Sequence, residues 1–137
     1  MMKVQGGCFC GALRYEANIN PKMIGICHCR DCQLFSGSAF RTATAVPLDG
    51  FEFTKGEPNL FDKTADSGLV RRMAFCGTCG SHICSFSDES EEAQFISLRV
   101  ATADNFEALV PSFEFFCDSK VSWLPKLETS YEFPQMP

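Results

Sequence analysis

Within six residues, Cys27-His28-Cys29-Arg30-Asp31-Cys32 sets three thiols and an imidazole on one short segment. Packing alone does not call for this, since a small hydrophobe fills the same volume without the reactivity. Two further groups accompany it, Cys8-Phe9-Cys10 upstream and Cys76-Gly77-Thr78-Cys79 downstream, while Cys84 and Cys117 stand alone. Thiols clustered in this way form a disulfide staple, a redox pair or a soft-metal site. The compartment helps to decide among these.

A formal net charge of −5, with no Lys/Arg run, argues against a nucleic-acid-binding surface. No segment approaches the roughly 18–20 apolar residues of a membrane span. Met1-Met2-Lys3-Val4-Gln5-Gly6-Gly7 lacks the apolar centre of a signal peptide. The expectation is a cytoplasmic protein with no membrane partner. At 137 residues it is expected to fold as a single domain over 1–137. In a reducing cytosol the clusters read as metal ligands rather than disulfides, and vicinal Cys-x-Cys pairs make awkward disulfides in any case. Zinc is the expected metal, because thiolates select it and it adds no redox chemistry.

The pattern along the chain is mostly β. Ala12–Ala17 alternates as a half-buried strand, and Met23–Ile26 runs into the central cluster as a short buried one. Arg30–Phe35 reads as one helical turn that Gly37 can end. Further strands are expected at Ser38–Val46, Phe51–Thr54, Leu60–Lys63, Leu69–Phe75, His82–Phe86, Gln94–Val100 and Phe113–Cys117. Ala101–Leu109 reads as loop or a short helical turn, the acidic run Asp88–Glu92 as a solvated loop, and the Pro-punctuated tail as irregular. The fold class expected is all-β, with several short, coiled sheets tied by zinc knuckles.

Cys76-x-x-Cys79, with glycines at 77 and 80 to allow unusual dihedrals, is a good zinc knuckle that needs two more ligands. Cys8 and Cys10, bracketed by Gly6-Gly7 and Gly11, offer a matching pair, and a site built from all four would be structural. Cys27, Cys29 and Cys32 are one ligand short of a closed tetrahedron. Three protein ligands and an open position is the pattern of catalytic zinc. Three thiolates make the ion a poor Lewis acid towards water but leave it compatible with another sulfur, so a small thiol is the expected substrate. Cys84 or Cys117 could instead close the site, although each reads as a buried strand residue. His28 should point away from the metal if both flanking thiolates bind it, and a packing or surface role suits it and His82. Of Arg71-Arg72, one is expected at the surface and one bridged to a partner, with an anion-orienting role as the alternative.

Taken together, Gly7-Cys8-Phe9-Cys10-Gly11, Cys27-His28-Cys29-Arg30-Asp31-Cys32-Gln33 with Ser36-Gly37-Ser38-Ala39-Phe40, and Arg72-Met73-Ala74-Phe75-Cys76-Gly77-Thr78-Cys79-Gly80-Ser81 resemble the glutathione-dependent formaldehyde-activating enzyme family, the CENP-V/GFA domain. Ser119-Lys120 and Trp123 resemble a feature near that family's C-terminus. The resemblance implies a β-rich fold with two zinc ions. It places a structural zinc on Cys8, Cys10, Cys76 and Cys79, and a labile, catalytic one on Cys27, Cys29 and Cys32. It also implies carbon–sulfur lyase chemistry on a small thiol or glutathione adduct. Where relatives often carry a histidine before the last strand, this chain has Ser112-Phe113-Glu114-Phe115. For general acid and base, His28, Asp31 and Arg30 are the nearest candidates. A non-catalytic zinc-stabilised binding module is the alternative reading, favoured by a closed fourth ligand. A thiol redox protein is the third, favoured by a Cys29–Cys32 disulfide.

Overall fold

The structure, a computed structural model, describes residues 1–66, 68–87, 95–128 and 130–136. In chain order its strands are β1 (Met2–Gly7), β2 (Arg14–Ile19), β3 (Ile24–Cys27), β4 (Arg41–Pro47), β5 (Phe51–Lys55), β6 (Asn59–Thr64), β7 (Val70–Phe75), β8 (His82–Phe86), β9 (Phe95–Arg99), β10 (Phe113–Phe115) and β11 (Tyr131–Glu132). One helix, α1 (Arg30–Ser36), lies between β3 and β4. The all-β expectation holds, with the strands gathered into two sheets. One is three-stranded, β1-β2-β5, and the other eight-stranded, β11-β10-β3-β4-β9-β8-β7-β6. Pairing is antiparallel throughout except for β10, which runs parallel to both β3 and β11.

Three local readings change. Met2–Gly7 is a full strand paired with β2 from Met2↔Ile19 to Gly7↔Arg14, although its glycines and short apolar content gave no strand signal. The tail supplies β11 against β10, so it is not wholly irregular. Phe113–Phe115 stops short of Cys117, because Phe116 takes a left-handed backbone (φ 55) and turns the chain into a single 3-10 turn, Cys117–Ser119. Cys117 is therefore half-exposed in a turn, not a buried strand residue. Gly37 ends α1 as expected, in the left-handed conformation (φ 65) that a glycine adopts without steric cost. The acidic run Asp88–Glu92 and the start of the strand expected at Gln94 lie outside the described residues.

Side chains alternate across a strand, so register fixes which residues share a face. On the eight-stranded sheet, Ile24, Val46, Leu98, Cys84 and Ala74 face the small sheet and close a core with Val4, Tyr15, Ala17 and Ile19. Tyr15 is 1% exposed, stacks on Phe51 at 5.3 Å between centroids, and meets Thr102 through a hydroxyl–hydroxyl hydrogen bond of 2.8 Å. Burying each such aliphatic side chain contributes about 1.5–3 kcal/mol. Cys84 belongs to this face. Burial pushes its thiol up to about 12, so it packs as an uncharged hydrophobe.

The opposite face carries the chemistry. Cys27 pairs with Arg41, Gly25 with Ala43, Ala43 with Arg99, and Ala45 with Ser97. Ser97 then pairs with Ser85, Ser85 with Met73, and Arg71 with Lys63. A thiol, four cations and two hydroxyls thus share one surface over small alanine and glycine side chains.

Leu98, 1% exposed on the central strand β9, sits where core burial is most complete. Leu98→Ala is expected to cost about 2–5 kcal/mol, read as a lower midpoint in urea denaturation with an unchanged slope.

Candidate functional site

The two outer cysteine groups are held on tight turns. In the first, the Cys8 N–H donates to the Leu13 carbonyl (3.1 Å) and the Gly11 N–H to the Cys8 carbonyl (3.2 Å). In the second, the Cys76 N–H donates to the Ser81 carbonyl and the Gly80 N–H to the Cys76 carbonyl. Of the two glycines expected to need unusual dihedrals, Gly80 has φ +80, whereas Gly77 does not take a positive φ, and a Cβ there would meet the Asn59 side chain at 2.7 Å. The Phe9 N–H donates to Ser81 Oγ at 3.1 Å and docks one turn on the other.

The sulfurs of Cys8, Cys10, Cys76 and Cys79 all lie within 4.8 Å of one another. Cys8 and Cys10 are 3.6 Å apart, and Cys10 and Cys76 are 3.7 Å apart. Tetrahedral zinc with Zn–S bonds of about 2.3 Å places its sulfurs about 3.8 Å apart, so the four residues fit that ion. Backbone N–H groups already point at the sulfurs, Leu13 to Cys8 at 3.2 Å and Thr78 to Cys76 at 3.4 Å. Hydrogen bonds from Ser81, side chain first and then backbone, hold Cys79 down to about 5. Against a lowering bond from the Ala12 backbone, burial and the bonds to Cys8, Cys76 and Cys79 push Cys10 up to about 11, so it keeps a proton that an ion would replace.

The central group comes from the junction of β3 and α1. Cys27 ends the strand and faces the open sheet surface; Cys29 is the N-cap of the helix; Cys32 lies in its first turn. These three sulfurs also fall within 4.8 Å of one another, and among the described residues no fourth His, Cys, Asp or Glu joins the group. Cys84 and Cys117 are elsewhere. Hydrogen bonds from the Cys27 and Cys32 thiols pull Cys29 down to about 2, while Cys27 is pushed well up, chiefly by its bonds to Cys29 and Cys32. Three sulfurs in mutual contact form a set whose protons a dication can replace. Cys29 and Cys32 stand 3.0 Å apart, closer than a tetrahedral edge, so accepting zinc requires them to separate by about 0.8 Å.

The trio opens into a cavity of about 490 Å³ on the chemical face of the sheet. Its walls are largely apolar, with Met23, Phe35, Met73, Phe95, Phe113 and Phe115 among them. Gly25 admits the Phe113 and Phe115 rings, because a Cβ there would lie 2.5 Å from Phe113. Arg41 and Arg71 reach the cavity from β4 and β7. Arg71 donates to the carbonyl and hydroxyl of Ser85 and lies over the Phe95 ring. Asp31 lines the mouth, ion-paired with Lys63 at 2.6 Å.

His28 turns away from this cavity, as expected from its flanking thiols, but it is fully buried, so the surface reading fails. Its Nε2 bonds Glu114 Oε1 at 2.8 Å, and its backbone N–H donates to Phe115. Glu114 also accepts from Ser130 Oγ and pairs with Lys120 at 3.3 Å. Against burial, which would raise it, the bonds from Ser130, His28 and Lys120 hold the Glu114 carboxyl below its ordinary range. The network pins β10 to the segment carrying the thiols. A charge between two phenylalanines in a strand was its signal in the sequence, and Lys120 of the Ser119-Lys120 feature belongs to it. Arg30 lies exposed on α1, bonded to Gln33. His82 sits on a strand, stacked on Phe75. Arg72 pairs with Asp62, which leaves Arg71 to the cavity. Sequence reasoning did not identify Arg41 or Arg99.

The family model described as glutathione-dependent formaldehyde-activating enzyme matches residues 3–119. An uncharacterised lyase of Schizosaccharomyces pombe is 25% identical over 97 residues, covering 71% of this chain and 67% of its own. A solved Rhodobacter sphaeroides protein shares the fold with a TM-score of 0.58 at 20% identity, over 74% of this chain and 88% of its own.

The two cysteine groups should respond differently to loss of a ligand. With zinc bound at both groups, Cys76→Ser is expected to lower zinc by one equivalent in elemental analysis and to lose the β circular dichroism signal. Cys32→Ser should lower zinc equally with the signal kept. Glu114→Gln is expected to cost about 1–3 kcal/mol at neutral pH by weakening the bonds of buried partners. A folded value below the ordinary one adds stability that is present above the ordinary range and lost as pH falls through the folded value. The difference between parent and variant should therefore shrink in denaturation at acid pH.

Proposed function

Because the chain belongs to the glutathione-dependent formaldehyde-activating enzyme family, we propose that it is a zinc-dependent carbon–sulfur lyase acting on a small thiol and its aldehyde adduct. The observation that carries this reading is the incomplete thiolate set, Cys27, Cys29 and Cys32, at one end of an apolar cavity large enough for a small molecule. The name of the fission-yeast relative, a lyase, agrees with it.

In the synthetic direction the sulfur of the thiol joins the carbonyl carbon, and the thiol proton ends on the carbonyl oxygen. Cleavage reverses both changes. A zinc held by Cys27, Cys29 and Cys32 would supply a soft acid to which a substrate sulfur can bind. The second ion, on Cys8, Cys10, Cys76 and Cys79, would hold the N-terminal turn to the β7–β8 hairpin and take no part in the chemistry. Arg41 and Arg71 stabilise negative charge in the cavity, where low polarity strengthens their fields. The aromatic walls exclude water from the adduct. Of the three acid–base candidates, Asp31 alone faces the cavity, and it is the group assigned to carry the proton. His28 acts at a distance, by fixing β10 through Glu114.

The close approach of Cys29 and Cys32 favours a second reading, a reversible dithiol. The test separates the two. With formaldehyde and glutathione followed by NMR exchange, the protein is expected to speed interconversion of free thiol and adduct. Cys29→Ser should reduce that acceleration about 100-fold or more, given what even partial disruption of metal ligation costs. Absence of acceleration, with zinc released and a Cys29–Cys32 disulfide formed under mild oxidation, would place the protein among redox dithiols.

A further inference from the structure

Among the described residues, four buried side-chain nitrogens have no hydrogen-bond partner: His28 Nδ1, Arg41 Nε, His82 Nδ1 and Arg99 Nη2. Three of these belong to residues around one space, a second cavity of about 410 Å³ lined by Arg41, His82 and Arg99. It adjoins the thiol cavity, since Phe35 and Arg41 line both. Ser36, Ser38 and Ser81 add hydroxyls to its wall.

Arg99 is the most unusual member. It is 5% exposed, and among the described residues its side chain bonds from Nη1 to the carbonyl and hydroxyl of Ser97. Register sets it opposite Ala43, on the same face as Arg41 and diagonal to it. Among the described residues neither Arg41, Arg71 nor Arg99 has a carboxylate within ion-pair distance. Acidic side chains close to this face are otherwise engaged, Asp31 by Lys63 and Glu114 by His28 and Lys120. Burial, followed by repulsion from Arg41, lowers Arg99 to about 9, which leaves it cationic at neutral pH. A chain does not gain stability by burying an arginine without a counter-ion. The nearest opposite charge is that of the thiol group, through Cys32, and an anionic ligand would supply the partners that Arg41 Nε and Arg99 Nη2 still lack.

We propose that Arg41 and Arg99, with His82 beside them, form an oxyanion subsite that holds a carboxylate of the substrate while its sulfur lies at Cys27, Cys29 and Cys32. Cys27 and Arg41 are direct partners across β3 and β4, so the sulfur and anion positions belong to neighbouring strands on one face of the sheet. That favours a short thiol acid over a neutral thiol. A carboxylate suits the subsite better than a dianion: two guanidinium donors supply the planar fork a carboxylate accepts, and among the described residues no lysine lines the wall. The sulfur half of this proposal rests on the thiol reading above; the anion half rests on the arginines alone.

Calorimetric titration of the zinc-loaded protein with 3-mercaptopropionate, 3-mercapto-1-propanol and propionate tests both halves. The thiol acid is expected to bind about tenfold or more tighter than the neutral thiol, the scale of one charge-assisted hydrogen bond. In Arg99→Met the ratio should fall to near one while the neutral thiol binds as before, and the unliganded variant should melt no lower than the parent. Arg41→Met serves as the second variant should Arg99→Met fail to fold, with the same loss of ratio expected. Propionate binding without either thiol would keep the oxyanion subsite and remove the thiol reading. Equal binding of the two thiols, or a preference that survives both substitutions, would overturn the subsite and leave the thiol reading in place.

Discussion

The register between β3, β4 and β9 governs both sides of this molecule. Ile24, Val46 and Leu98 belong to the core only because Cys27, Arg41 and Arg99 then belong to the open face. A slip of one residue would exchange the sets, burying cations against Tyr15 and exposing the aliphatics. Hydrophobic burial therefore does more than stabilise the sheet. It also orients the strand-borne cations near the thiols, and the small residues Gly25, Ala43 and Ala45 between them leave the depth of the cavity.

The cysteine groups were legible in the sequence because metal-ligand spacing is local: two residues on one turn declare themselves without reference to the rest of the chain. The pairing of Cys8 and Cys10 with Cys76 and Cys79 followed from counting ligands, and the sulfur separations agree with it. The arginines were not legible for the opposite reason. Arg41 and Arg99 are far apart in sequence, each sits in an ordinary strand pattern, and only register joins them. Arg71 was visible as half of a pair, but which half faced the cavity depended on its strand partners. The strand at Met2–Gly7 escaped notice because two of its six residues are glycines, which carry no β propensity; pairing with β2 overrides that. Phe116 hid a turn inside an aromatic run, which is why Cys117 was misplaced.

The two thiol groups also differ in what surrounds them. The four-sulfur group joins two turns that already hydrogen-bond each other, so an ion there would reinforce a contact the backbone has made. The three-sulfur group rests on a strand end and a helix of seven residues, with Glu114 and Lys120 behind it as a brace. Rigidity is supplied from the side away from the cavity. The cavity itself is left with unpaired cations and soft walls, the arrangement expected where binding, not folding, supplies the missing partners.

A chain with net charge −5 that turns its unpaired arginines inward presents opposite signs at different ranges. Within a Debye length of the exterior, about 8 Å at physiological salt, an approaching anion meets a repulsive field; only at the mouth of the cavity does attraction take over. Encounter and retention then respond to ionic strength in opposite directions. Added salt screens the exterior and speeds arrival, while it weakens the hold of the guanidinium groups once the anion is inside. Large polyanions are turned away at a distance, whereas a compact anion pays that toll once and is then held.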